Sequence, residues 1–206
     1  AGTGGFGIRS DSMGGYNMYI QVVITVFMIL FGVNFNVYFL ILTRKFAQAF
    51  KSEEVRCYFL VILVSALIIT LNVRDMFENI GIAMQQVFFQ VGSIITTTGY
   101  ATTDFNQWPA VSRTIIVLLT FCGACAGSTG GGIKISRLLL MLKSVRKELH
   151  LYLHPNAVKK IKMDGKVVSH EVLRATNIYM IVYILLMAVS ILIISFDEFD
   201  LVTNFT

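Results

Sequence analysis

Charge is scarce in this sequence. Only 14% of its 206 residues are Asp, Glu, Lys or Arg, where a soluble domain carries roughly a quarter. Proline occurs twice, too seldom for a proline-rich linker. Cysteine occurs three times, an odd number without a paired framework, which argues against a disulfide-stapled secreted module. No nucleophile–base–acid set can be assembled, so the chain reads as something other than an enzyme. What is plentiful is apolar surface: 55% of residues are hydrophobic and the mean hydropathy is +0.71. The net charge of +5 is not spread over one soluble face, which argues against nucleic acid as a partner. The composition is that of an integral membrane protein, with the lipid bilayer as its first partner.

Three apolar runs are long enough to cross a bilayer: Met18 to Leu42, Cys57 to Val73 and Ile178 to Phe196. At about 1.5 Å per helical residue they cover roughly 25–38 Å, against a hydrocarbon core of about 30 Å. A fourth run, Trp108 to Leu142, is interrupted by Gly127-Ser128-Thr129-Gly130-Gly131-Gly132. A fifth, Ile80 to Ile95, is shorter and amphipathic, with Gln85, Gln86 and Gln90 among its apolar residues. Segments 43–56 and 134–174 hold fourteen of the seventeen basic residues. The excess of Lys and Arg marks both as cytoplasmic and the remaining loops as external. Residues 74–79 and 101–113 then lie on the same, outer side, so Ile80 to Ile95 cannot make a full crossing. A re-entrant hairpin resolves the parity, as would a helix lying flat on the outer surface; the hairpin's irregular backbone must be buried in protein or line an aqueous cavity.

At the tip of that hairpin comes Thr96-Thr97-Thr98-Gly99-Tyr100. Gly99 can take positive φ and let successive carbonyls face one side. Rings of such carbonyls replace the hydration shell of potassium, and the partially negative C-terminus of the short helix favours a cation. The motif has a second copy. Ala1-Gly2-Thr3-Gly4-Gly5-Phe6 precedes Asp11 and a spanning run, as Thr97-Thr98-Gly99-Tyr100 precedes Asp104 and another. Each glycine in the 127–132 stretch costs a helix about 0.8–1 kcal/mol relative to alanine, so this segment breaks its span and suits either a gate or close helix packing.

Other motifs carry less. Gly2, Gly4 and Gly7 match the dinucleotide fingerprint formally, but the position of the expected ribose-binding acid falls within an apolar run. Gly127 to Lys134 lacks the spacing of a phosphate-binding loop. Cys122 and Cys125 lie in an apolar span without further ligands, and His150 and His154 are followed by Pro155 in basic surroundings; neither pair reads as a metal site.

TTTGY with Asp104, Trp108 and Pro109, then the stretch from Gly123 to Lys134, and later His154-Pro155-Asn156-Ala157-Val158, together resemble the membrane subunit of bacterial Trk-type potassium uptake systems. That subunit shares a superfamily with Ktr and plant HKT transporters. The resemblance implies an all-α membrane fold of helix–pore loop–helix repeats with pseudo-fourfold symmetry, of which this chain carries one complete repeat and parts of two others. Residues 1–50 would hold the filter strand and second helix of one repeat, 51–150 a complete repeat, and 151–206 the connection to the next and its first helix. Thr98, Gly99, Gly4 and Gly5 would supply filter carbonyls to K+ as the transported ion, with Thr97 and Thr3 in support. Residues 127–132 would form the gate. The resemblance further implies an inner-membrane location, a homodimer of the full-length subunit, and docking of a cytosolic nucleotide-binding regulatory subunit on 134–174; no covalent cofactor is expected. The alternatives are a cation-coupled secondary transporter with a broken-helix site and a non-conducting membrane scaffold.

Overall fold

The computed structural model describes residues 4–9 and 11–197; Thr3 lies outside them. The chain divides into two compact units, residues 1–138 and 139–206.

The first unit is built around a short central helix. Helices α1 (Met18–Phe31), α2 (Phe35–Leu42), α3 (Phe46–Lys51) and α4 (Glu53–Val73) precede α5 (Ile80–Ile95), which is followed by α6 (Ala110–Phe121) and the start of α7 (Ile135–Leu153). The α5 helix begins where Asn79 accepts a hydrogen bond from the Ile82 amide at 2.9 Å, the usual N-terminal cap. Its sixteen residues span about 24 Å, short of a full crossing. One stripe of α4 (Tyr58, Ile62, Ala66, Ile69, Val73) is buried, as are Ala83, Val87, Val91 and Ile95 of α5. Three- and four-residue spacings place each set on one face, and α4 and α5 pack together. On another side Gly92 of α5 lets α1 approach closely, since a Cβ there would lie 3.3 Å from the Ile29 side chain.

Polar groups fix α5 more specifically than packing does. Gln21 of α1 is buried; its amide nitrogen donates to the carbonyls of Met13, Gly14 and Tyr16. Its amide oxygen accepts from Gln85 at 2.7 Å and Gln86 at 3.3 Å. Gln86 in turn accepts from the Thr102 hydroxyl. Gln90 is also buried, and its side-chain oxygen has no partner among the described residues.

Two expected spans differ from the sequence reading. The run from Met18 to Leu42 is not one helix: α1 and α2 meet at a 90° bend over Gly32–Asn34. Asn34 caps α2 by accepting from the Asn36 amide at 2.9 Å, so a residue that reads as a tolerated polar interruption is a helix start. The break in the fourth run is also wider than the glycines 127–132, because α6 ends at Phe121 and α7 begins at Ile135.

The second unit holds most of α7, a hairpin of β1 (Lys162–Met163) and β2 (Lys166–Val167), and α8 (His170–Ile194). Ser169 caps α8, and only Thr176 and Met180 of its 25 residues are buried. Exposed Ile178, Ile181, Leu185, Leu186 and Leu192 form an apolar surface that water would not tolerate and lipid would. Among the described residues α4 and α8 are each long and apolar enough to cross a membrane, and the bent α1–α2 pair could add a third span.

Replacing Gln21 with leucine removes the acceptor for Gln85 and the donor for three carbonyls. The Gln21→Leu variant of the full-length protein is expected to lose about 1 kcal/mol, read as a lower thermal midpoint in detergent. An unchanged midpoint would show that the cluster contributes no net stability.

Candidate ion pathway: a glycine turn above a glycine loop

The two glycine turns meet. The Gly5 amide donates to the Thr98 carbonyl at 2.7 Å, and the Met13 amide donates to the Ala101 carbonyl at 2.9 Å. The Ala101 amide donates to the Ser12 hydroxyl at 3.1 Å. Segments 94 residues apart in sequence therefore lie side by side, each leading toward a helix. Gly5 has φ +66° and Gly99 φ +80°, in the left-handed region that glycine occupies without cost. A Cβ on Gly5 would overlap the Gly99 carbonyl, and one on Gly99 would sit 2.9 Å from the Gly5 amide nitrogen. Gly4, at φ +127°, adjoins Gly5 in the same turn. Of the expected filter residues, Gly4, Gly5, Thr97, Thr98 and Gly99 are thus brought to one place.

The turn hangs from the end of α5. Amides of Thr96, Thr97 and Thr98 donate back to the carbonyls of Gly92, Ile94 and Ser93. The Ser93 hydroxyl donates to the Tyr100 carbonyl at 2.6 Å, and the hydroxyls of Thr96 and Thr98 lie 2.8 Å apart. Thr97 has φ +54°, a conformation that costs a β-branched residue roughly 1–3 kcal/mol and persists only where surroundings enforce it. Its hydroxyl shows what does so: it donates to the Thr96 carbonyl at 2.7 Å and accepts from the Gly131 amide at 2.6 Å.

That second bond brings the glycine loop to the turn. Residues 122–134 leave α6 and return to α7, closed at the base where the Gly123 amide donates to Ile133 O at 2.5 Å and the Ile135 amide to Ala124 O at 3.2 Å. Gly130 lies against the turn, since a Cβ there would be 3.3 Å from the Thr96 carbonyl and 2.8 Å from the Ala124 Cβ. The Lys134 ammonium donates to the Gly130 carbonyl, and the Ser128 hydroxyl donates to Cys125 O. The loop also interlocks with the α1–α2 bend. Cys125 N donates to Gly32 O at 3.0 Å and Phe35 N to Gly127 O at 3.1 Å. The Thr129 amide and hydroxyl both address Phe31 O. Tyr58 and Tyr38 hydroxyls satisfy Ile29 O and Leu30 O at 3.0 and 2.5 Å.

Comparison with known proteins identifies the family. The family model described as a cation transport protein, TrkH, matches residues 2–206. The chain belongs to the TrkH family. It is 32% identical over 195 residues to the Trk system potassium uptake protein TrkH of Salmonella typhimurium, covering 93% of this chain and 40% of that protein. Against TrkG of Escherichia coli K12 it is 30% identical over 210 residues, with 98% and 42% covered. The crystal structure of the potassium transporter TrkH from Vibrio parahaemolyticus superposes with a TM-score of 0.88 at 30% identity, covering 98% of this chain and 44% of that one. The chain spans about two-fifths of the length of the curated relatives it matches, and its fold is the all-α fold of this membrane transporter family.

One residue of this TrkH-family chain was missed by sequence reasoning. Glu54, which falls within the basic segment 43–56, is the second residue of α4 and only 5% exposed. Its Oε1 accepts from the Ala126 amide at 2.6 Å and the Ser136 amide at 3.1 Å. The available signal was its proximity to the apolar run starting at Cys57, but a glutamate in the first turn of a helix is favourable for local reasons alone. Among the described residues no group of three His, Cys, Asp or Glu side chains converges, and Cys57, Cys122 and Cys125 form no disulfide.

Thr97→Val keeps the side-chain shape and removes both hydroxyl hydrogen bonds while leaving the positive φ. It is expected to cost about 1–3 kcal/mol, lowering the thermal midpoint of the purified full-length protein. Thr97→Ser, which retains the hydroxyl, should stay close to wild type. Equal midpoints for valine and wild type would mean that the hydroxyl is not what holds the strained turn.

Proposed function

We propose that this chain is part of a potassium uptake subunit in which backbone carbonyls of the Gly4–Gly5 and Thr98–Gly99 turns contribute to a selectivity filter. The observation that carries the reading is the meeting of the two glycine turns at the end of α5. Carbonyl oxygens on a short, fixed stretch of backbone match the oxygen ligands a monovalent cation needs when it sheds water. Thr97 supports the turn; Thr3 is assigned the same role by the motif alone. Related proteins bearing the names potassium uptake protein and potassium transporter support the choice of ion.

Residues Gly127, Ser128, Thr129, Gly130, Gly131 and Gly132 act as the gate. The loop lies against the inner end of the filter turn, tied to it through the Thr97 hydroxyl, and it is not held by helix hydrogen bonds. Such a segment can exchange between two arrangements for a few kcal/mol. Residues 1–50, 51–150 and 151–206 correspond to one partial, one complete and one further partial helix–pore loop–helix repeat of a pseudo-fourfold pore in the inner membrane. Loops 43–56 and 134–174 face the cytoplasm on their excess of basic residues. There, in the second unit, Lys143, Arg146, Lys147, Lys159, Lys160 and Lys162 surround a hollow of about 170 Å³. This basic face suits an acidic surface of a cytosolic regulatory subunit, and the full-length subunit works as a homodimer.

A coupled secondary transporter would need an intramembrane acid free to bind the coupling ion. The buried acid Glu54 commits an oxygen to two backbone amides instead.

In the full-length protein, Gly99→Ser is expected to reduce potassium-over-sodium preference, because a side chain at φ +80° beside the Gly5 backbone must displace a carbonyl. Wild-type ion preference in a vesicle flux assay would remove Gly99 from the filter. For the loop, Gly130→Ala forces its Cβ into Ala124, so the loop must shift and potassium flux must change; unaltered uptake kinetics would argue that 127–132 only packs helices together.

A further inference from the structure

Glu54 is buried, lies outside both the filter turn and the glycine loop, and one of its oxygen atoms does two things at once. Oε1 accepts the amide of Ala126, the residue immediately before Gly127, and the amide of Ser136, in the first turn of α7. These two amides stand at the opposite feet of the 127–132 loop. A carboxylate that receives two backbone N–H groups makes charge-assisted bonds, stronger than the neutral bonds that tie the rest of the loop to the α1–α2 bend and to Thr97. The amide at Ser136 also belongs to the first turn of a helix, where amides lack intrahelical partners and negative charge is favoured.

We propose that Glu54 is the latch of the gate: a positioning residue that holds both feet of the glycine loop together and biases the loop toward its closed arrangement. The proposal rests on the reading of 127–132 as the gate and names what sets its resting position. A movement that carries 127–132 away from Thr97 by spreading the base of the loop pulls Ala126 and Ser136 apart. Because both bonds end on one atom, the carboxylate cannot follow both, and at least one breaks. Glu54 sits at the start of α4, directly after the α3 segment and Ser52. A displacement of residues 43–52 therefore reaches the feet of the loop through a single side chain, without passing through the filter.

The test uses the full-length protein in potassium-loaded vesicles, with flux expressed per correctly assembled subunit from gel filtration. Glu54→Ala is expected to raise flux in the absence of any regulator about tenfold, the factor that loss of one charge-assisted bond of ordinary strength gives. Glu54→Gln, which keeps an acceptor oxygen but loses the charge, should fall between. Potassium-over-sodium preference should not change in either. Ser136→Pro removes one of the two donors from the other side, in the first turn of α7, where no intrahelical bond is lost; it should raise flux alone and add little on top of Glu54→Ala. This variant also keeps the test decisive should Glu54→Ala fail to assemble. A residue needed for folding alone would lower the amount of assembled protein and leave flux per subunit unchanged. That outcome, or additive effects of the two variants, overturns the latch. If Gly130→Ala changes flux while the Glu54 and Ser136 variants do not, the gate stands and Glu54 is not its latch. If none of the three changes flux, the gate reading itself fails.

Discussion

Backbone amides and carbonyls cannot be left bare in hydrocarbon, and this constraint organises the first unit. Two of its helices are interrupted, at Gly32–Asn34 and between Phe121 and Ile135, and each interruption releases groups that a continuous helix would have paired internally. The chain brings the two breaks together so that they satisfy one another. Gly32 O and Phe31 O receive amides from 125 and 129, while the amide of Phe35 returns to Gly127 O. Tyrosine hydroxyls from α2 and α4 add bonds to Leu30 O and Ile29 O. The glycines around the loop are therefore only half of the arrangement; the other half lies at the bend between α1 and α2.

Thr97 stands between this interlock and the glycine turn above it. Its hydroxyl donates to a carbonyl of the turn and accepts from an amide of the loop, and it does so from a backbone conformation that β-branched residues avoid. Strain at one residue, stabilised by two hydrogen bonds, gives the turn and the loop a shared element. A change in the loop alters what holds the turn, and the reverse follows from the same bond.

Sequence patterning reads some of this well. The α5 helix occupies the residues that its apolar run and flanking polar residues indicate, and the three threonines and Gly99 form a turn at its end. Of the three glutamines within that run, Gln85 and Gln86 tie α5 to Gln21 of α1. The bend after Phe31 was not legible, because 25 mostly apolar residues satisfy the length of a span whether or not they are straight. The groups that satisfy the bent backbone come from Cys125, Gly127 and Thr129, nearly a hundred residues away, and a local window does not contain them. The break before Ile135 begins at Cys122 for a similar reason: Gly123 pairs across to Ile133, a partnership that glycine counting misses. Glu54 was hidden by its neighbours, since a carboxylate beside Lys51 and Arg56 looks solvated until the segment that buries it is in place.

The reciprocal pairing of the two breaks has a bearing on how the protein is made. Phe31 and Thr129, which bond across it, are 98 residues apart, so at a synthesis rate of about 5–20 residues per second the bend waits roughly 5–20 s for its counterpart. Throughout that interval its carbonyls need another source of hydrogen bonds, which the bilayer interior does not offer. Membrane insertion of α1 and α2 is thereby linked to the arrival of α6 and α7, and the insertion machinery, or the watery headgroup layer, must shelter the earlier pair until the later one emerges.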